Sequence, residues 1–208
     1  ALEAQVNPHF LYNSLNTIQA MAGAESPVAR MSRSLARLFR YSIDPSGDAV
    51  PLEEEVEHLM DYITLQGYRF ADRIRAKLNF SDAPADFPVP RLILQPLVEN
   101  CYKHGFETLT EGGLITVSTR IEKGDLLITV EDNGAGIESA QLKRIMKELR
   151  ARKEKSADGN PLGIGIPNLY MRLYLTYKRD NLMQIESTLG KGTRIELTIP
   201  PERAERMG

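Results

Sequence analysis

"DLLITVEDNGAGI", residues 125–137, decides the fold. Its first eight residues are mostly apolar or β-branched, which predicts a strand, and the run stops on Glu131 and Asp132. Asn133, Gly134 and Gly136 follow, so the strand delivers a carboxylate to a glycine-bearing turn. Just upstream, "LITVSTRIE" (114–122) has the same strand character, and Lys123-Gly124 makes the hairpin turn between the two. A second hairpin, "LMQIESTLGKGTRIELTIP" (182–200), turns at Gly190-Lys191-Gly192, and "AKLNFS" (76–81) alternates like a further strand. Helical segments lie between them. "PRLILQPLVENCYKHGF" (90–106) reads as a buried helix, 139–155 as a charged one, and "LGIGIPNLYMRLYLTYK" (162–178) as a glycine turn running into a helix. This order predicts an α/β sandwich over 76–202, with one mixed sheet and helices on one face, then a short tail at 203–208.

Residues 1–75 differ in character: they are helical in period, with one break at "DPSGDAVP" (44–51). The whole chain is therefore α+β, a helical region followed by the sandwich. At ~100° per residue, Phe10, Leu11, Leu15, Ile18, Met21 and Ala22 share a broad apolar face, while Tyr12, Asn13, Asn16 and Gln19 gather around His9. A second helix covers 27–43, with Pro27 in its first turn and Leu35, Leu38 and Phe39 on one face. A third covers 52–72, with Pro51 at its start, Glu53, Glu54 and Glu55 at its positive end and Arg69 and Arg73 near the other. His58 in that helix reads as a surface histidine. Pro8 removes a backbone N–H, so a helix entering from Ala1 bends or restarts there. A restart with Asn7 as cap and Pro8 in first position puts His9 in the first turn.

The chain has 208 residues, room for one good-sized core or a domain with a smaller helical unit. It is 42% hydrophobic and 26% charged, an ordinary globular balance. A net charge of −2 gives no reason to expect a nucleic-acid partner. One cysteine excludes an internal disulfide framework and makes a reducing compartment the default. No apolar run approaches the ~18 residues of a membrane span. The chain opens on Ala1 in mid-pattern, which reads as a fragment of a longer protein.

Three segments carry chemistry. In "QPLVENCYKHG" (95–105), Asn100, Lys103 and His104 are polar groups in a helix otherwise built from Leu97, Val98 and Cys101. "EDNGAGI" (131–137) is the acid-and-glycine turn. In "GIGIPN" (163–168), Gly163 and Gly165 open a helix whose exposed N–H groups suit an anion. "GKGT" (190–193) adds a fourth glycine turn. A glycine pair alone is a weak signal, but the ordered set in its strand and helix context is a strong one.

The set resembles the N box and the three glycine boxes of the GHKL ATPase superfamily (the Bergerat fold), whose members include histidine kinases, type II topoisomerases and MutL-like proteins. The resemblance implies ATP and Mg2+ as cofactors. Under it, Asp132 accepts from the adenine amino group, and Gly134 and Gly136 let the backbone pass close to the base. Asn100 holds the Mg2+ through oxygen, the donor this hard ion prefers. Lys103 lies against the phosphates and His104 contacts phosphate or ribose. Gly163, Gly165 and Asn168 belong to the same nucleotide-binding set, and Thr193 completes the pocket. Residues 138–162 become the lid, with Gly159 and Pro161 on its hinge side. Its cations, among them Lys143, Arg144, Lys147 and Arg150, are either a solvated helix face or a source of one or two charges over the γ-phosphate.

The opening stretch narrows the branch. "QVNPHFLYNSLNTI" (5–18), "LARLFRYSI" (35–43), "PLEEEVEHLMDYITLQGYRFADRI" (51–74) and "LILQPLVENCYKHG" (92–105) together resemble the LytS/YehU family of sensor histidine kinases, collinearly and over nearly the whole chain. That resemblance makes His9 the phosphoacceptor, which passes its phosphoryl group to an aspartate of a response regulator. It also implies a homodimer, with 1–75 as the dimerisation and phosphotransfer region, and membrane attachment through an upstream segment that leaves this part on the cytoplasmic face. Asn13, one turn on from His9, is placed to orient the imidazole or a water, a possible phosphatase role. Phe10 stands where many histidine kinases carry an acid, so either the base comes from elsewhere, with Glu99 beside Asn100 as a candidate, or the neutral imidazole, whose acceptor nitrogen already has a lone pair, needs little help. Gln95, taken as one helical turn before Asn100, stands where water-hydrolysing members commonly carry glutamate. A glutamine is a poor proton acceptor, which favours transfer to histidine. The competing readings are a GHKL-type ATPase coupled to conformational change and a non-catalytic nucleotide-binding dimerisation module.

Overall fold

A computed structural model describes residues 8–43, 47–107, 109–155 and 165–202; the side chains of Pro8, His9, Asp72 and residues 152–155 lie outside that description. The chain folds in the order α1 (Pro8–Ala22), α2 (Pro27–Ile43), β1 (Ala49–Pro51), α3 (Leu52–Phe70), β2 (Ile74–Asn79), β3 (Pro88–Pro90), α4 (Gln95–Asn100), β4 (Gly113–Glu122), β5 (Asp125–Asp132), α5 (Ser139–Lys155), α6 (Ile166–Tyr177), β6 (Met183–Thr188) and β7 (Gly192–Ile199).

The helical half is a hairpin packed on a third helix. Gly23, at φ +81°, follows the end of α1. The Ser26 hydroxyl accepts from Ala29 N–H (3.0 Å) and caps α2. Helix α2 is buried on two faces, at small residues Ala29, Ser32, Ser34 and Ala36 and at Leu38. Leu35, expected beside Leu38, is instead 43% exposed. The first-turn N–H groups of α3 are satisfied from the sandwich: Leu52 donates to Phe87 O and Glu53 to Ala85 O, each at 2.9 Å.

The sheet runs β2-β4-β5-β7-β6; β2 and β4 are parallel and the other pairs antiparallel, so it is mixed as expected. Its inward residues Ile115, Val117, Ile128, Val130, Ile195 and Leu197 share one core with Leu97 and Val98 of α4 and Leu169 and Leu173 of α6. That core continues into Leu38, Leu59 and Tyr62 of the helical half. The opposite face is polar, where Glu196 accepts from Arg120, Arg194 and Thr129.

Both hairpins and α2 lie where the pattern put them, and three elements differ. The predicted helix over 90–106 is broken. Residues 91–94 form a turn with Leu92 at φ +56°, Pro96 stands in the first turn of a short α4, and Cys101–Gly105 widen into a π-helical turn. The first sheet strand is Ile74–Asn79 rather than 76–81, because Asn79 Oδ1 accepts from Ser81 N–H (3.3 Å) and turns the chain. The β1–β3 ribbon, pairing Ala49 with Pro90 and Pro51 with Pro88, has no counterpart in the sequence reading.

Candidate nucleotide and phosphotransfer site

Asp132 ends the central strand β5 between Ile115 of β4 and Thr193 of β7. It is only 6% exposed. Burial raises its carboxyl above the usual carboxylate range, and hydrogen bonds from Gly134 N–H, Thr193 N–H and the Cys101 thiol partly offset that rise. The Gly134 bond is 2.8 Å to Oδ1. Its own turn and two other segments, the π-helical turn at Cys101 and β7 at Thr193, therefore meet at this carboxylate.

The glycines make that convergence possible. A Cβ on Gly134 would lie 2.1 Å from Gly105 O, and one on Gly192 would lie 1.8 Å from Asp132 O. Gly136, at φ +65°, would place a Cβ 2.0 Å from Thr188 O. Other backbone segments therefore already crowd Gly134 and Gly136. Hydrogen bonds lock the same crossings: Ala135 N–H donates to Gly105 O (2.8 Å) and Gly190 N–H to Ala135 O (2.7 Å).

Two residues the sequence reading passed over complete the loop. The Ser187 hydroxyl accepts from Ile137 N–H (2.8 Å), donates to Gly192 O (2.8 Å) and lies 2.9 Å from the Thr193 hydroxyl, so Thr193 belongs to this loop network. Asn133 accepts from Leu114 N–H (2.7 Å) and donates to Gly112 O (2.9 Å), pinning the turn to the start of β4. Asn133 sat inside the quoted motif; nothing in the pattern singled out Ser187.

Of the remaining predicted site residues, Asn100 is half-buried at the end of α4, and its side chain makes no hydrogen bond among the described residues. Its carboxamide oxygen is thus a free, partly sheltered hard donor, which fits a magnesium ion shared with phosphate oxygens. No group of three or more His, Cys, Asp or Glu that could hold a metal ion occurs among the described residues. Lys103 and His104 are exposed on the π-helical turn, and Lys103 pairs with Glu99 at 2.5 Å. That pair ties the candidate base to the candidate phosphate ligand. Gly165 caps α6 and its carbonyl accepts from Leu169 N–H (3.0 Å), while Asn168 is half-buried in the first turn. Gly163, Gly159 and Pro161 lie outside the described residues. Of the lid cations, Lys143, Lys147 and Arg150 of α5 line a cleft of about 520 Å³ against Ile185 of β6, and Arg144 approaches Glu148 at 3.8 Å.

On the helical side, α1 is described from Pro8 onward and includes His9; the His9 side chain and residues 1–7, on which the expected restart with Asn7 as cap falls, lie outside the described residues. Asn13 is exposed one turn along. Two expectations change. His58 is not a surface residue: it is 4% exposed, stacks on Tyr41 at 4.2 Å and donates from Nε2 to Gln95 Oε1 at 2.6 Å. Gln95 also sits one residue too early for the role first given to it. The position one helical turn before Asn100 is Pro96, which has no proton acceptor at all.

A family model for histidine kinases matches residues 1–74, and the model for histidine kinase-, DNA gyrase B- and HSP90-like ATPases matches residues 86–203. The chain belongs to this ATPase family, on its histidine-kinase branch. Sensor histidine kinase YesM of Bacillus subtilis (strain 168) is 37% identical over 96% of this chain and 33% of that protein. Sensor histidine kinase/phosphatase LytS of Staphylococcus aureus (strain Mu50) is 33% identical over 99% of this chain and 34% of that protein. The chain thus spans about a third of the length of the curated relatives it matches. The solved catalytic domain of the histidine kinase ThkA superposes with a TM-score of 0.51 at 14% identity, over 75% of this chain and 97% of that one, a likeness of fold. No helix among the described residues is long and apolar enough to cross a membrane.

Proposed function

We propose that the chain is the kinase core of a sensor histidine kinase, using ATP to phosphorylate His9 and passing the phosphoryl group to an aspartate of a response regulator. Residues 1–75 form the dimerisation and phosphotransfer region and 76–202 the ATP-binding domain. The observation that carries this reading is Asp132, a buried carboxylate at the end of the central strand where its own turn meets two other segments. Such an acceptor suits the adenine amino group, a donor that would repay its burial.

Asn100 would hold the magnesium ion, which on binding would neutralise phosphate charge in phosphoryl transfer. Lys103, His104, Gly163, Gly165, Asn168 and Thr193 complete the nucleotide set. In the transfer itself, the unprotonated ring nitrogen of His9 attacks the γ-phosphorus. The N–P bond forms as the bond to the β-phosphate oxygen breaks, ADP leaves, and the other ring nitrogen gives its proton to a base. Glu99 can serve as that base once Lys103 turns to phosphate. Asn13 supports a phosphatase role of the kind that the name of the Staphylococcus aureus relative prints. A homodimer, and attachment to a membrane with this part on its cytoplasmic face, belong to the same proposal. Water hydrolysis as the main activity is disfavoured, because neither Gln95 nor Pro96 is a usable base.

Incubation with γ-labelled ATP and Mg2+ should place an acid-labile, base-stable label on the protein, and His9→Gln should abolish it. Equal labelling of His9→Gln would sink the assignment, and steady hydrolysis with no phosphoprotein would favour an ATPase.

A further inference from the structure

The most buried charged residue in the described structure lies outside the nucleotide boxes. Glu55, in the first turn of α3, is 0% exposed. Its Oε1 accepts from Leu92 N–H (2.5 Å) and from the Tyr41 hydroxyl of α2 (2.5 Å). Its Oε2 accepts from Ile93 N–H (2.8 Å) and Leu94 N–H (3.1 Å). Three successive backbone donors and a phenol converge on one side chain, enough to compensate a carboxylate withdrawn from water.

The turn that supplies those donors is strained. Leu92 holds φ +56°, a left-handed conformation that a non-glycine residue adopts at a cost. Successive N–H groups around such a residue form a concave anion nest. Here the anion comes from the helical half of the same chain. The grip is doubled on either side: Arg172 of α6 donates to Leu92 O (2.7 Å), and His58, one turn after Glu55, holds Gln95. Gln95 begins α4, which ends at Asn100. Farther along α3, Tyr62 and Phe70 pack on the Tyr102 ring of the π-helical turn, at 6.1 and 5.2 Å.

We infer that Glu55 is a positioning residue for the metal end of the nucleotide site. From the helical half it fixes the 92–94 turn, and through that turn the placement of α4 and Asn100. The inference rests on Asn100 as the magnesium ligand. The adenine end is anchored differently, by Asp132 on the sheet, so the two ends of the site respond differently to loss of Glu55.

Glu55→Gln keeps the shape but offers one oxygen to four donors, and its amide N–H groups oppose them. In the 208-residue chain this variant should bind a Mg2+-complexed non-hydrolysable ATP analogue about ten-fold more weakly, and ADP without Mg2+ within about two-fold of the parent. Adding Leu92→Gly, which holds φ +56° without strain, should recover most of the loss, a rescue that a purely packing role of Glu55 does not predict. Equal weakening of both ligands, no weakening of the metal complex, or no rescue by glycine overturns the inference. If Glu55→Gln does not fold, the parent protein carries the test. The Mg2+–analogue complex should slow amide exchange at Leu92, Ile93 and Leu94 more than Mg2+-free ADP does, because whatever favours the metal site through Glu55 is favoured by it in return. Equal protection by the two ligands overturns it. A parent that binds no nucleotide at all refutes the proposed function instead, so the two failures are distinguishable.

Discussion

Asp132 sits where binding and stability pull in opposite directions. Burial raises its carboxyl above the ordinary 3.8, and the Gly134, Thr193 and Cys101 donors only partly offset that. The folded chain therefore holds this proton more tightly than the unfolded chain. Its contribution to stability is full below pH 3.8 and is lost as pH rises through the raised value. Once ionised, the buried carboxylate carries a desolvation cost that ligand binding offsets. Asp132→Asn should raise the urea midpoint at pH 8 relative to the parent, leave it closer to the parent at pH 4, and weaken ATP binding about ten-fold or more, since only a carboxylate offers both oxygens as acceptors. A midpoint that falls equally at both pH values would contradict this. Gly134 tests the same crossing from the backbone side. Gly134→Ala forces a Cβ to within 2.1 Å of Gly105 O, where neither backbone can yield. It should cost about 2 kcal/mol or more of unfolding free energy in urea, and an unchanged midpoint would show that the loops separate freely.

Between elements, the joint of α3 with α4 is where sequence pattern fails and structure informs. His58 is pressed between Tyr41 and Gln95. Burial lowers its pKa below 6.5, while the Gln95 bond and the Glu55 and Asp61 carboxylates oppose the shift. The unfolded chain then takes up the proton more readily. Stability from the neutral ring is present above pH 6.5 and lost as pH falls through 6.5 towards the lowered value. Urea midpoints between pH 7.5 and 5 should decline more steeply for the parent than for His58→Gln, and parallel curves would remove His58 from the account. Pattern alone placed α2, the two hairpins and α5 well, because their apolar period and turn residues are local signals. It misplaced His58 because Glu-rich surroundings, "EEEVEH" (53–58), imitate a solvated face. The carboxylate that makes Glu55 a buried residue is satisfied by backbone groups 37 to 39 residues away in sequence, which no local window contains. The break in the 90–106 helix was hidden likewise, since the left-handed Leu92 is held by Glu55 and Arg172 rather than by a glycine. The glycine boxes were legible as motifs, but the reason for two of their glycines, contact with Gly105 and Thr188, needed the fold.

At the scale of the whole molecule, the helical hairpin is incompletely covered. Helix α1 packs on α2, and α2 on α3, which leaves α1 outermost. Phe10 (69%) and Met21 (84%) are exposed on α1, as are Val28 (50%), Met31 (39%) and Leu35 (43%) on α2. On α1 the row Phe10, Ser14, Thr17, Met21 keeps the 4-3-4 spacing of a helix–helix seam, and on α2 Val28, Met31 and Leu35 follow a 3-4 spacing. The Ser14 and Thr17 hydroxyls are turned back onto Phe10 O and Asn13 O, at 2.8 and 2.9 Å, so the row presents less polarity than its composition suggests. Apolar rows of this kind on a monomer favour association, and the sandwich already has its own continuous core. A second copy of the same hairpin supplies matching rows by symmetry, and two hairpins make a four-helix bundle. Charge in the rows should therefore break the proposed dimer and spare the fold. Met21→Glu with Leu35→Glu should sediment as a monomer at about 10 μM, where the parent sediments as a dimer, a shift that needs two unpaired carboxylates in an apolar interface. The double variant should keep its nucleotide affinity, because neither Met21 nor Leu35 belongs to the core that surrounds the nucleotide boxes. A double variant that still sediments as a dimer, or a parent that is monomeric, would place the protomer interface elsewhere and leave these rows without a partner.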